Sequence, residues 1–444
     1  MSVKNSTPTG KIVIEGEIEL LCPAIIGSGK DENSDVDLLK DSQGNAYIPA
    51  TSFAGVLRHS IKLGGNKDQI EYFWGSQREE SNHEKIRQSS IIIDDLLPVN
   101  EPNIEIRDGV KIDNKRGIAK DKGKFDYEII GSGSKFKLHM EVTLNNQYDE
   151  FKKDMLKKII AFLQNEKIRI GAKTNSGFGR IKLSSHKIYI FDFSKKEDVL
   201  RWLKQDFSVI SELNVEDFEP TEKTFTINAD FIIKNSLIVR SYNYDPDKPD
   251  IEHIKSNKKP VLPGTSIKGA IRARAERIIK TLGKPDSIIT DLFGDVDEKK
   301  KRAKKGKITV EEAIIEGYPE EVQTRIKIDR FTGGVIESAL LETKPIFSKE
   351  APSNFDIKIT ITNYEDHEAG LVLLVLKDLW TGDLPIGGEK AIGRGVLQGK
   401  CAKISWNGDN SNKISFSNIE ELQEHQKKML NNFVLSLVNY GGKS

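Results

Sequence analysis

The sequence predicts an α+β protein of two tandem ferredoxin-like (RRM-like) domains, each carrying long insertions that include a thumb-like hairpin. Three observations predict it. Four landmarks recur in one order at a nearly constant spacing, each half opens on an alternating strand, and each half then runs strand, helix, strands, helix, strand. In "IPATSFAGVLR" and "LPGTSIKGAIR", Pro49, Ser52, Gly55 and Arg58 match Pro263, Ser266, Gly269 and Arg272 at an offset of 214. "FWG" ending at Gly75 matches "LFG" ending at Gly294, offset 219. "VKID" ending at Asp113 matches "IKID" ending at Asp329, and "GAKTNSGFGRI" from Gly171 matches "GGEKAIGRGVL" from Gly387, both offset 216. Repeats of this length are domains, not solenoid units. The expected domains are 1–215 and 216–444, joined in the acidic stretch "ELNVEDFEPTEKT" from Glu212 to Thr224.

Each element has a local reason. "KIVIEGEIEL" and "TFTINADFII" alternate apolar and polar residues, as half-buried strands do. A proline turn then starts a helix in each half; in the second, Ile267, Ile271, Ile278 and Ile279 share one face. "FKLHMEVTL" and "FDIKITITN" read as strands, "FKKDMLKKIIAFLQ" and "HEAGLVLLVLKDL" as the second helices, and a glycine loop precedes each final strand. "EIRDGVKIDNKRGIAKDKGKFDYE" reads as an inserted extended hairpin, and "EKKKRAKKGK", residues 298–307, as a mobile basic loop.

Composition bounds the function. The chain has 444 residues, 30% charged, with a net charge of +1, so bulk charge does not mark a nucleic-acid binder, although charge can segregate by face. No apolar run is long enough for a membrane span, and "MSVKNSTPTG" lacks the apolar core of a signal peptide. Cys22 and Cys401 are too few for a disulfide framework or a thiolate zinc site, which fits a reducing cytoplasm.

The repeated motifs suit a phosphate-bearing ligand. Thr51, Ser52, Thr265 and Ser266 are expected N-cap residues at helix starts, where backbone N–H groups and the helix dipole favour an anion. Gly55 and Gly269 lie on the opening turns, and Lys268 and Arg272 share a face, with Arg58 the matching cation in the first half. The plain alternative is a capped helix packed closely on a sheet. In the glycine loops, Gly177, Gly179, Gly393 and Gly395 let the backbone lie flat, beside the cations Lys173, Arg180, Lys390 and Arg394; a tight strand connection is the default there. Neither loop is a P-loop. Arg107, Lys111, Lys115 and Arg116, matched by Arg325, Lys327 and Arg330 with Phe331 among them, suit a hairpin that follows a nucleic-acid backbone and wedges bases. A solvated charged hairpin is the plain alternative.

Taken together, "IPATSFAGVLR", "LPGTSIKGAIR", "RDGVKIDNKRGIAKDKGKFDYE", "IKIDRFTGG", "SGFGR" and "IGRG" resemble the RAMP superfamily of CRISPR-associated proteins, over almost the whole chain. The nearest likeness is to a fused, double backbone subunit of a type III, III-D-like, effector complex. Ala50 departs from the glycine usual after the proline, and the second half has a longer loop before its helix. The resemblance implies guide RNA held at the helix starts and glycine loops, complementary target RNA, neighbouring effector subunits, and a hairpin that displaces a base. It also implies cleavage of the target by an acidic residue in the loop before the first helix, with Mg²⁺ or another divalent cation such as Mn²⁺. Asp37, twelve residues before Pro49, best matches that acid and would be the metal ligand; Asp35 is its neighbour. Asp250, thirteen before Pro263, is the counterpart, with Asp245 and Asp247 upstream. Solvated loop acids are the plain alternative. His59 and His253 have no counterpart in the other half and read as structural.

The leading reading is thus an RNA-guided, metal-dependent endoribonuclease subunit, and the first alternative a catalytically inert guide-RNA scaffold. A guide-RNA-processing endonuclease of the same superfamily ranks below both, because such enzymes lack the repeated proline-turn helix and the hairpin. A metabolic protein comes last, as no organic-cofactor motif is present.

Overall fold

The computed structural model describes residues 7–29, 36–61, 65–76, 87–114, 116–215, 223–243, 245–297, 302–407 and 412–441. Contacts divide the chain into two compact units. The first comprises 1–105, 128–174 and 178–220; the second comprises 106–127, 175–177 and 221–444. Two short pieces of the first repeat, one from the inserted hairpin and one from the glycine loop, therefore pack as parts of the second unit.

The first repeat runs through β1 (Gly10–Leu20), β2 (Gly27–Gly29), β3 (Asp37–Leu38), α1 (Ala50–Ser60), α2 (Lys67–Trp74), β4 (Ile91–Ile93), the hairpin β5 (Ile104–Asp113) and β6 (Ile118–Ile130), β7 (Lys135–Leu144), α3 (Asp149–Gln164), β8 (Ile181–Asp192) and α4 (Lys196–Leu203). Its sheet has the order β4-β7-β1-β8 with every pair antiparallel. That is the ferredoxin-like order, which follows when two strand-helix-strand crossovers interleave in one sheet. Alternation in β1 places Ile12, Ile14 and Ile18 in one cluster with Phe53 and Leu57 of α1 and Met155, Leu156, Ile159 and Ile160 of α3. Each such side chain fully buried contributes about 2 kcal/mol. The opposite face of β1 presents Val13, which joins Tyr189 and Phe191 under Trp202 and Phe207.

The second repeat continues with β9 (Thr224–Ile233), β10 (Ser236–Leu237), β11 (Arg240–Tyr242), β12 (Ile251–His253), β13 (Lys255–Ser256), β14 (Lys259–Leu262), α5 (Gly264–Thr281), α6 (Ser287–Phe293), β15 (Gly294–Asp297), β16 (Arg302–Lys305), β17 (Ile308–Val310), β18 (Ala313–Ile314), β19 (Gln323–Arg325), β20 (Leu341–Lys344), β21 (Ile346–Phe347), β22 (Phe355–Thr362), α7 (Asp366–Trp380), β23 (Leu397–Trp406), β24 (Lys413–Phe416) and α8 (Glu424–Asn439). Its main sheet, β17-β22-β9-β23-β24, has the same order with one strand added at the edge. Ile267, Ile271, Ala275 and Ile279 of α5 enter its core beside Leu371, Val372, Val375 and Leu379 of α7. The added helix α8 lies so close to α7 that a Cβ on Gly370 would strike the carbonyl of Phe433.

The repeat extends to irregular details. Ile14 pairs with Met140 and Ile188, and Ile227 pairs with Ile359 and Ile404. A bulge skips Ser184 opposite β1, and another skips Lys400 opposite β9. The basic stretch 298–307 differs from the expected loop: Gly294 to Asp297 pair with Arg302 to Lys305, while 298–301 lie outside the described residues. Lys307 is held at 2.8 Å by the buried carboxylate of Glu368. Among the described residues no helix is long and apolar enough to cross a membrane.

Candidate nucleic-acid interface

Both proline-turn helices start alike. Pro49 and Pro263 are the N-cap residues, each with φ −61° and ψ 137° and with no side-chain cap. This corrects the expectation that Thr51, Ser52, Thr265 and Ser266 would cap. Proline already supplies the extended backbone that a cap needs, and the hydroxyls fall inside the first turn. In the first unit the Ala50 N–H donates to Asp95 Oδ1 at 2.7 Å, so a carboxylate already sits at that helix start. Thr51, Ser52 and Gly55 are exposed and Arg58 is half-buried.

In the second unit the Thr265 hydroxyl bonds the phenol of Tyr127. Gly264 is pressed against the carbonyls of Ser176 and Val310, which leaves no room for a side chain. Lys268 donates to the Ile308 carbonyl at 3.3 Å. Burial, together with the like charges of Arg272 and Lys305, lowers its pKa to about 8. Lys305 carried no sequence signal as a partner; it arrives through the β15–β16 pairing. Arg272 bonds Glu276 at 3.1 Å and the Gly294 carbonyl at 3.4 Å.

Gly55 and Gly269 behave unlike the repeated glycines at 171 and 387, 179 and 395, and 75 and 294. A Cβ on either would meet nothing within 4 Å. A mid-helix glycine costs about 1 kcal/mol relative to alanine, and here no packing returns it. Tight helix–sheet packing therefore does not explain these two residues.

Gly179 and Gly395 clamp the glycine loops onto neighbouring backbone. The Gly179 N–H donates to the Pro23 carbonyl and the Gly395 N–H to the Ser236 carbonyl, both at 2.7 Å. A Cβ on Gly179 or Gly395 would collide with the carbonyl of Ile170 or Ile386. Gly177 lies over the backbone of Val310 and Glu312 in the second unit, whereas Gly393 has open space. Lys173 and Glu389 occupy equivalent left-handed positions, φ 53° and 56°. Arg180 pairs with Glu166 at 3.4 Å. Lys390 is lowered in pKa by burial and by Arg277.

Two of the expected RNA-binding arginines are enclosed. Arg107 is 1% exposed and forms a two-pronged ion pair with Glu312, Nη2 to Oε1 at 3.1 Å. Arg394 is 3% exposed, on Glu389 at 3.2 Å. Neither offers its guanidinium on the surface: Arg107 is enclosed with a carboxylate 205 positions away, and Arg394 with one five positions back in its own loop. Arg325 is half-buried on the same Glu389 at 3.0 Å. Lys111, Arg116, Lys327 and Arg330 are exposed, and Lys115 lies outside the described residues. Phe331 is 99% exposed on a turn that Asp329 fastens through the N–H groups of Phe331 and Thr332.

The acids divide. Asp37 is half-buried on β3, paired with β2; Asp35 lies outside the described residues. Asp250 is exposed, and its Oδ2 accepts the Glu342 N–H at 2.8 Å, which fastens β12 near β20. Asp245 accepts the Asp247 N–H and pairs with Lys248. Among the described residues no three His, Cys, Asp or Glu side chains gather as metal ligands. His253 is buried, taking the Val239 N–H on Nδ1 and giving its Nε2 proton to the Val261 carbonyl.

The RAMP superfamily model matches twice, at residues 17–182 and 234–398, and the two matches together cover most of the chain. The chain belongs to the RAMP superfamily. The two RAMP matches fall on the two ferredoxin-like sheets, and each contains its proline-turn helix and glycine clamp. No curated protein matches this chain.

Proposed function

We propose that this RAMP protein is a double-module backbone subunit of a type III, III-D-like, CRISPR effector, which binds guide RNA and cuts complementary target RNA. The observation that carries the reading is the pair of exposed, uncontacted glycines on the proline-capped helices. A helix face without side chains lets a sugar-phosphate chain approach, and Arg58, Lys268 and Arg272 stand within one turn of it. The second unit is the better anion site: Lys268, Arg272 and Lys305 gather there, whereas Asp95 occupies the start of α1. Phe331 and the exposed cations of the two hairpins then contact bases and phosphates.

Asp37 is the proposed cleavage residue. Mg²⁺ is commonly held by one or two carboxylates with substrate phosphates and water, and the half-buried Asp37 carboxylate fits that mode. A divalent cation bound there would neutralise charge developing on the RNA phosphate. Asp37 would hold it and orient the backbone to be cut. Asp250 already serves the backbone, which favours a second reading for its half: a scaffold that binds and does not cut. The test uses the assembled complex with guide RNA and labelled complementary RNA, comparing wild type, Asp37→Ala and Asp250→Ala in Mg²⁺ and in EDTA. Loss of a metal-dependent band in Asp37→Ala with target binding intact supports the reading. Persistence of every band in both variants leaves the inert scaffold.

A further inference from the structure

Asp37 stands on a short strand. β3 pairs with β2 at Leu38–Gly27 and Asp37–Gly29, and the ladder is irregular between the two. Glu128 of β6, in the same unit, supplies the further hold. Its N–H donates to the Val36 carbonyl at 3.1 Å, and its Oε2 accepts the Leu38 N–H at 3.1 Å. One residue thus grips the backbone on both sides of Asp37, and neither bond uses the Asp37 side chain. Lys40 Nζ donates to Oε1 of the same carboxylate at 3.1 Å and fixes its orientation. The Glu128 side chain is 17% exposed, so water competes little for these bonds.

The fold does not require a carboxylate at this position. Ile130 bridges Ala24, and Ile346 pairs with Leu237. Ala24 and Leu237 each precede the residue whose carbonyl Gly171 or Gly387 covers, so the two pairs are equivalent. Two residues before Ile130 stands Glu128, and two before Ile346 stands Lys344. The second unit pairs β12 with β20 there all the same, and Lys344 bonds Glu320 at 3.1 Å. A lysine cannot accept an N–H. In that unit the loop acid is itself the fastener, because Asp250 Oδ2 accepts the Glu342 N–H at 2.8 Å. In the first unit Glu128 does the fastening instead.

We propose that Glu128 is the positioning residue of the cleavage site: it holds the β3 backbone so that the Asp37 carboxylate is presented in one orientation. The proposal rests on Asp37 as the cleavage residue. It gives a reason for cutting by the first unit alone, since a misplacement of about 1 Å can cost about a hundredfold in rate. A group that fixes a reacting side chain through its backbone supplies that placement.

Two readouts test it. The first is amide hydrogen exchange of the full chain in EDTA, without RNA. Glu128→Ala should speed exchange of the Leu38 amide by about tenfold, while the amides of β1 and β7 keep their protection. Glu128→Gln keeps an oxygen for the Leu38 N–H and should exchange as the wild type does. The second readout is single-turnover cleavage by the assembled complex with guide RNA, labelled complementary RNA and Mg²⁺. Glu128→Ala should cut about tenfold to a hundredfold more slowly with unchanged target affinity, and Glu128→Lys, which copies the second unit, should do the same. Glu128→Gln should stay within about threefold of the wild type. Unchanged Leu38 exchange in Glu128→Ala overturns the positioning role. So does a fall in target affinity together with faster exchange throughout the sheet, which marks a plain support of the fold. Asp37→Ala separates the two claims. If it abolishes the band while Glu128→Ala cuts at the wild-type rate, the positioning role falls and the cleavage reading stands. If Asp37→Ala itself cuts as fast as the wild type, the cleavage reading falls and the positioning role falls with it.

Discussion

Arg107 and Glu312, 205 positions apart in sequence, form a two-pronged ion pair that leaves the arginine 1% exposed. The pair fastens the hairpin residues 106–127 within the second unit, together with Tyr127 on Thr265 and Asp108 on the Tyr242 N–H. Arg107→Ala leaves Glu312 enclosed without its counter-charge, so the unit should lose roughly 3–5 kcal/mol. The double change Arg107→Met with Glu312→Leu removes both charges and should restore most of it. Denaturant unfolding of both variants decides the matter; an unaffected single variant would mean that the pair does not hold the hairpin.

Gly269 sets stability against binding. Its helical φ is ordinary and a Cβ has open space, so Gly269→Ala should raise stability by about 0.5–1 kcal/mol. The same methyl group obstructs the approach of an RNA backbone, and affinity for guide RNA should fall by about tenfold, near 1.4 kcal/mol. Gly55→Ala should act alike in the first unit. A more stable protein with unchanged RNA affinity would remove the main support for binding at these helices.

Much of the fold was legible because two copies of one backbone make the same local demands. The alternation of "KIVIEGEIEL", the Ile267–Ile271–Ile279 face and the glycines at 179 and 395 each follow from geometry within a few residues. The site was less legible because its partners are remote. Nothing near Arg107 announces Glu312, and nothing near Ala50 announces Asp95. Lys152 of α3 is likewise buried, its ammonium on the Thr143 carbonyl, Asn145 and Asp149. Alternation tells which face a residue occupies, not which charge waits there, so the enclosed Arg107 reads as a surface cation; Arg394 is different, since its Glu389 lies five residues back in the same glycine loop. The hydroxyls beside the prolines misled for a different reason: the proline had already taken the cap position.

His253 of β12 ties β14 to the residue that precedes β11 as a neutral ring, between the Val239 N–H and the Val261 carbonyl. Burial lowers its pKa from 6.5 to about 4. The unfolded chain therefore takes a proton near pH 6.5 that the folded chain refuses until about pH 4. The stability this neutral ring contributes is fully present above pH 6.5 and is lost as pH falls toward 4, by up to about 3 kcal/mol. His253→Gln should be less stable at neutral pH and show a shallower loss between pH 6.5 and 4. Urea unfolding across that range measures it, and identical pH slopes for the two proteins would exclude His253 as the source.

Lys268 makes RNA affinity sensitive to alkaline pH. With its pKa lowered to about 8 by burial and by Arg272 and Lys305, it is largely charged at pH 7 and largely neutral at pH 9. A phosphate beside it favours the charged form, so binding above pH 8 must first recapture a proton. Affinity should therefore fall by up to about tenfold from pH 7 to pH 9. Arginine stays charged throughout, so Lys268→Arg should bind with little change over the same range. A single strand of adenine and cytosine avoids titration of uracil and guanine, and its dissociation constant at fixed ionic strength is the readout. A flat profile in the wild type would place Lys268 away from the phosphates. An equal fall in the arginine variant would assign the pH dependence to another group.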